Sequence, residues 1–431
     1  MKTEMKRIAE IARNHGKVQT LIHHINVENL REQHKQIKAK KATGIDGVTK
    51  EKYEESLDEN LTNLVDRMKR QAYKPQEVRR VYIPKDGSKE KRGLGIPAYE
   101  DKLVQRIMAK ILTAIYEEKF LDMSYGFRPM KSCHDAIKRL GRIIEKKKVS
   151  YIVDMDIKGF FDNVNHEWMI KFLEHDIQDK NFIRLIKRFL KAGILEEGKH
   201  IETDQGTPQG GVVSPVLANV YLHYVLDLWF EKKVKKQNKG ESFIVRYADD
   251  FVCCFQYKEE AKQFYYRLKE RLSKFGLEIA ENKSKIIEFG RFAEENCKRR
   301  GDGKPETFDF LGFTHYCSKS KQGWFRVKRK TSRKKQKTKI AKMKMWIRQR
   351  MHKPLKETIK SLNRKLVGHY NYYGITDNSK SIHAFYYHTV RQLYKTLKRR
   401  TQKHRMSWER YKKLLTYMPI TKPSIQVNVY Q

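Results

Sequence analysis

The chain is expected to fold as an α+β protein, and three observations lead there. Helical and strand periodicities succeed one another along the chain: apolar residues recur at Leu103, Ile107, Ile111, Ala114 and Ile115, whereas VRRVYIP (78–84) alternates. Two other segments, YIVDMDI (151–157) and FIVRYADDFVCCF (243–255), are strand-like and largely apolar, with acids set among the apolar residues. Finally, the net charge of +42 is concentrated at one end, since residues 321–431 hold 31 Lys and Arg against three acids, largely in a helical pattern.

Element by element, residues 1–75 read as helices with polar connections, interrupted by the glycine-containing loop KATGIDGVT (41–49). VRRVYIP, the turn DGSKEKRG (86–93) and LGIP form a β-hairpin. A helix follows over 99–120, then the strand 151–157. Residues 210–230 form an apolar core segment, with a helix starting near Ser214. The span 243–255 is two strands around a tight acidic turn, and 258–275 is an amphipathic helix. LEIA (277–280), KIIEF (285–289) and FDFLGFTHY (308–316) read as strands, and 331–415 as basic helices. The composition shift places a boundary near Lys321.

Several classes are excluded. The first residues, MKTEMKRIAEIARNHGK, contain no apolar signal-peptide core. The most apolar stretch, 210–230, is interrupted by Ser214, Pro215, Asn219, His223 and Asp227, so no membrane partner is expected. Five cysteines without a CxxC pair fit neither a zinc ribbon nor a disulfide framework, and point to a reducing cytoplasm. A pI near 9.9 calls for a polyanionic partner.

The chemistry is concentrated in the acids. A hairpin turn needs at most one Asp for its geometry, yet YADD places Asp249 and Asp250 side by side between apolar strands. Asp154 and Asp156 lie two apart on another apolar strand, where burial without a cation would be costly. Paired carboxylates from separate strands suit Mg²⁺ and two-metal phosphoryl transfer.

SYGFRP (124–129), DIKGFFD (156–162), GTPQGGVVSPVLAN (206–219), YADD and FDFLGF (308–313), in that order, resemble the reverse transcriptase–maturases encoded by group II introns. LNRKLVGHYNYYG (362–374) resembles their maturase region. The resemblance covers about residues 40–420. It implies a right-hand polymerase with a helical N-terminal extension, fingers, a βαββαβ-like palm and a helical basic thumb. The domains would be 1–100 (extension and fingers), 101–320 (fingers and palm) and 321–431 (thumb or maturase X region with a short tail).

The resemblance also assigns residues. Asp156, Asp249 and Asp250 would be catalytic and, with the Ile157 carbonyl, would hold two Mg²⁺ ions, with Mn²⁺ as a substitute; Asp154 would be a structural charge. Lys85, Arg92, Phe160, Phe161, Gln209 and Lys283 would contact the dNTP. One of the two phenylalanines would act as the sugar gate, with Phe160 the first choice. Arg79, Arg326, Lys328, Arg329, Lys330, Arg333, Lys334 and Lys335 would bind nucleic acid. Implied partners are the group II intron RNA, an RNA template with a DNA or RNA primer, target DNA and dNTPs.

Many relatives continue into a Cys/His-rich nuclease domain, which is not expected here. The implied activity is RNA-directed DNA synthesis with assistance to splicing, serving retrohoming, in a bacterial cytoplasm and associated with the nucleoid through nucleic acid. A domesticated polymerase serving defence or repair and a splicing-only maturase are the alternatives.

Overall fold

The computed structural model describes all residues except 15, 85–90, 197–198, 202–204, 208–209, 401–405 and 431. Its strands are β1 (Val78–Pro84), β2 (Lys91–Ile96), β3 (Tyr151–Met155), β4 (Ile194–Glu196), β5 (Lys199–Ile201), β6 (Ser242–Tyr247), β7 (Asp250–Phe255), β8 (Lys285–Glu288), β9 (Phe308–Phe310), β10 (Phe313–Lys319) and β11 (Phe325–Thr331). They form three sheets, ordered β2-β1-β4-β5, β6-β7-β3-β8 and β11-β10-β9. The mixed α+β class follows, as the periodicities require.

The chain divides into two compact units, one of residues 1–85, 89–133 and 153–286, the other chiefly of 134–152 and 287–431. Lys321, where the charge changes, lies within the second unit, in the loop joining β10 to β11. The composition step there marks a hairpin tip inside a folded unit.

In the first unit, the helix Tyr99–Tyr116 buries Leu103, Ile107, Met108, Ile111 and Ile115 completely and packs on the helices Lys2–Arg13 and Val27–Gln36. Asp179 caps the helix Lys180–Leu190 through Oδ1, while its Oδ2 accepts from the Leu21 and Ile22 amides at 2.6 and 3.0 Å. The N-terminal extension is thereby tied to the body of the unit. The loop 41–49 is also held: Arg79 donates to the Thr43 carbonyl at 2.7 and 3.1 Å, and the Tyr99 amide donates to Asp46 Oδ2 at 2.7 Å. All of Phe251–Phe255 is buried, as a strand covered on both faces requires.

Two strand readings need correction. LEIA forms only a single bridge, Ile279 to Ile157, because the chain turns again at 281–283. FDFLGFTHY is two antiparallel strands, β9 and β10, since Leu311 and Gly312 adopt positive φ (51° and 79°). The basic run also starts differently: RVKRKT is strand β11, paired with β10, before the helix Arg333–Arg348 begins. In this second unit, the helices Leu355–Tyr373 and Ser379–Lys398 bury Leu362, Leu366, Tyr370, Phe385 and Leu393 in one core with Phe313 and Ile347.

Three buried histidines set the acid stability. Burial, reinforced by Arg329, pushes His315 down to about 3. Burial likewise pushes His223 and His369 down to about 4. Their folded values lie below the unfolded value of about 6.5, so the unfolded chain takes up protons that the folded chain refuses. Stability is complete above pH ~6.5 and is lost as pH falls towards ~4. Asp101, pushed up to about 6 by burial, and Asp249, also raised by burial, work in the opposite direction, but the lowered histidines outnumber them. The urea midpoint is therefore expected to be lower at pH 5 than at pH 7; an equal or higher midpoint at pH 5 contradicts this.

Candidate active site

The acidic turn is built by β6 and β7, which pair from Ser242↔Phe255 to Tyr247↔Asp250, leaving Ala248 and Asp249 as the two-residue link. Ala248 has φ +58°, a conformation that two-residue hairpins favour and that alanine resists. The SYGF segment runs alongside: the Arg246 amide donates to the Met123 carbonyl and the Tyr125 amide to the Arg246 carbonyl, each at 2.8 Å. Gly126 is required there, since a Cβ would lie 2.3 Å from the Ala248 nitrogen.

Asp156 follows directly after β3. Its carbonyl accepts from the Ala280 amide at 2.8 Å, and the Lys158 amide donates to the Glu278 carbonyl at 2.9 Å, so 156–158 is pinned against 278–280. Asp156 Oδ2 accepts from Lys283 Nζ at 2.9 Å. Asp249 is held above the usual carboxylate range, first by burial and further by the charge of Asp156, against the opposing charges of Arg92 and Arg246. Two carboxylates from separate segments thus share one electrostatic neighbourhood, with Lys283 on one and Arg92 influencing the other.

The glycine-rich loop is fastened on two sides. Gly206 (φ +91°) and Thr207 donate their amides to the Val164 and Phe161 carbonyls at 2.7 Å. A Cβ on Gly210 would lie 2.6 Å from the Gly95 carbonyl oxygen, so the loop also runs close against β2. The expected contacts Gln209 and Lys85 lie outside the described residues. Arg92 is exposed on β2 opposite Ile83.

For the sugar gate, the two phenylalanines differ in exposure. Phe160 is 2% exposed and packs near Tyr221, while Phe161 is half-buried. The tight turn after Gly159 (φ +53°) sends the first ring inward and leaves the second accessible.

Among the expected nucleic-acid contacts, Arg79 is engaged with Thr43. Arg329 is 1% exposed, 3.7 Å from Asp377, and so is not available at the surface. Strand alternation explains this: Val327, Arg329 and Thr331 point inward, while Lys328 and Lys330 are on the other face. Arg326 pairs with Glu145 at 2.8 Å. Lys330, Arg333 and Lys334 line an open groove of about 1280 Å³, together with Lys337 and Lys344. Lys335 is half-buried beside them.

The donor set fits hard divalent cations. Oxygen donors of Asp156 and Asp249 lie in a partly buried site where their charges oppose each other, and Lys283 supplies a positive charge on one of them. The three carboxylates are not drawn together: among the described residues, only Glu4, His23 and His24 bring three candidate ligand atoms within 4.8 Å of one another. The Met1 ammonium accompanies that other cluster at 3.1 Å from Glu4.

Sequence reasoning missed Arg246, Asp227 and Asn219, which lie buried beneath the turn. Asp227 closes a π-helical stretch, His223–Asp227, and a second one spans Phe230–Val234. The available signal was a lone Arg in an apolar strand and a lone Asp in an apolar helix, which need each other when buried.

The model of the reverse transcriptase (RNA-dependent DNA polymerase) family matches residues 83–315, more than half of the chain. The chain belongs to the reverse transcriptase family. A second model, the group II intron maturase-specific domain, matches residues 333–415. The chain is 37% identical over 257 residues to the group II intron-encoded protein LtrA of Lactococcus lactis subsp. cremoris, covering 55% of this chain and 41% of LtrA. It is 34% identical to protein YkfC of Escherichia coli strain K12, covering 48% of this chain and 62% of that protein. It is 27% identical to the mitochondrial nuclear intron maturase 2 of Arabidopsis thaliana, covering 32% and 24%. The match thus spans about two-fifths of the first relative's length. Reverse transcriptases as a family use divalent metal ions. No helix among the described residues is long and apolar enough to cross a membrane.

Proposed function

We propose that this chain is an RNA-directed DNA polymerase that also binds group II intron RNA and assists its splicing. The observation that carries the polymerase reading is Asp249 at the tip of the β6–β7 turn, within the field of Asp156 and Arg92. The reaction is attack of a primer 3′-oxygen on the α-phosphorus of a dNTP, with pyrophosphate leaving. Asp156, Asp249, Asp250 and the Ile157 carbonyl would hold two Mg²⁺ ions, or Mn²⁺ in their place. Bound there, such ions would supply a lowered pKa for the attacking hydroxyl and neutralisation of charge on the leaving oxygens.

The chain's own groups do the rest. Arg92, on the fingers hairpin, and Lys85 bind the triphosphate, and Lys283 passes from Asp156 to the departing pyrophosphate. Gln209 contacts the nascent base pair. Phe161 packs under the sugar and excludes a 2′-hydroxyl. Lys330, Arg333, Lys334, Lys337 and Lys344, around one groove, bind RNA phosphates by counterion release. Matching relatives named for introns support intron RNA as a partner. Retrohoming into target DNA extends the same reading.

Primer extension on an RNA template with dNTPs and Mg²⁺ tests the proposal; absence of cDNA from the folded, RNA-binding chain rejects the polymerase half. Phe161→Ala is expected to admit ribonucleotides about 10- to 100-fold more readily relative to dNTPs, since the discrimination is one steric contact worth about 1–3 kcal/mol. Phe160→Ala should instead lower stability by about 3–5 kcal/mol, as for a buried aromatic. Unchanged sugar selection in Phe161→Ala removes the gate assignment.

A further inference from the structure

Beneath the acidic turn lies a charged group that the reaction itself does not use. Arg246 and Asp227 are both 0% exposed. The guanidinium forks onto both Asp227 oxygens, Nε to Oδ1 at 2.8 Å and Nη2 to Oδ2 at 2.5 Å. Its Nη1 donates to Asn219 Oδ1 at 2.9 Å and to the Ala248 carbonyl at 3.0 Å. Asn219 Nδ2 in turn donates to the Gly126 carbonyl at 2.7 Å.

This arrangement joins three separate pieces of chain at the residue preceding Asp249: the helical run that carries Asn219 and Asp227, the segment of Gly126, and the hairpin itself. The Ala248 carbonyl belongs to the peptide that carries the Asp249 nitrogen, so fixing that oxygen fixes the plane from which the Asp249 side chain departs. Ala248 sits in the left-handed region, which its Cβ disfavours, and needs outside contacts to stay there. Arg246 supplies one on the carbonyl side, and the close approach of Gly126 supplies another on the nitrogen side. Stability alone accounts poorly for such a pair, because a buried ion pair is often no better than apolar residues of the same volume.

We propose that Arg246, Asp227 and Asn219 form a positioning bracket that aims the Asp249 carboxylate towards Asp156, so that the two can share a divalent cation. The proposal rests on the reading of Asp249 as a metal-holding carboxylate. None of the three residues touches substrate; they act through the turn.

The test uses the full chain with Arg246→Met combined with Asp227→Leu, which removes both charges and keeps the volume. Thermal unfolding, Mn²⁺ binding by the protein alone, and kcat and KM for dNTP in primer extension are measured. The double variant is expected to unfold close to the wild-type temperature. Its Mn²⁺ affinity should fall about 10-fold, as for loss of a group supporting a metal ligand. Its kcat should fall about 100-fold, as for a misplaced reacting group, with KM for dNTP nearly unchanged.

Unchanged Mn²⁺ affinity in the folded double variant overturns the bracket, whatever happens to the rate. Weakened Mn²⁺ binding in a chain whose wild type extends no primer supports the bracket and rejects the polymerase reading instead. Should the double variant not fold, Asn219→Ala, which keeps the ion pair and removes the link between Arg246 and the Gly126 carbonyl, takes its place; a smaller loss of Mn²⁺ affinity is expected, and an unchanged affinity overturns the bracket.

Discussion

Asp249→Asn is expected to lower primer extension by roughly 10²–10³-fold, the scale of losing one preorganised electrostatic group at a reacting centre. The same change should leave the thermal unfolding temperature equal to or above that of the wild type. Both effects have one origin. The Asp249 carboxyl is largely buried and faces the charge of Asp156, so its ionised form is unfavourable in the folded chain without a cation. Asparagine keeps the shape and removes the repulsion. Single-nucleotide incorporation and a thermal melt on the same preparation check the two halves. A near-wild-type rate would remove Asp249 from the catalytic set, and a large fall in melting temperature would show that the carboxylate is structural.

The second large effect concerns stability. Arg246→Met alone leaves the Asp227 carboxylate buried with its main partner gone, since both of its oxygens bond the guanidinium. Removing one member of a buried pair costs about 3–5 kcal/mol, whereas replacing both is close to neutral. The single variant should therefore be much less stable than Arg246→Met/Asp227→Leu in urea titrations. If the single and double variants unfold at the same urea concentration, the pair is not coupled in this way. The comparison also separates folding from positioning: only the double variant isolates the aim of Asp249 from the integrity of the core.

Most of this organisation can be read in the residues. The acidic turn between apolar strands, the hairpin of VRRVYIP and the long helix after Tyr99 follow from periodicity and from the cost of burying charge. What could not be read has identifiable causes. RVKRKT looks like a solvated basic run, yet it is a strand; alternation buries Arg329 against Asp377, and no local pattern shows a pairing 48 residues away. FDFLGFTHY looks continuous because the turn at Leu311–Gly312 contains only one residue of turn type. The Phe160–Phe161 order is decided by the backbone at Gly159, which two adjacent identical side chains cannot report. Arg246 and Asp227 explain each other only once the helix and the hairpin are brought together.

The wide helical turns at His223–Asp227 and Phe230–Val234 have a consequence for how this chain can vary in length. Each accommodates the chain at a looser winding than an ordinary helix. Deleting a single residue within 223–226 would let the wide turn tighten to an ordinary one and absorb the loss, leaving the residues after it in phase; the same deletion in the ordinary helix Ser214–Leu222 would rotate everything after it by roughly 100°, the angular step of one helical residue. The carboxylate of Asp227 would then face away from the hairpin, though no residue near the acids had been substituted. Residue count in Ser214–Leu222 is thus as constrained as residue identity, and a one-residue loss is tolerated where a wide turn can take it up.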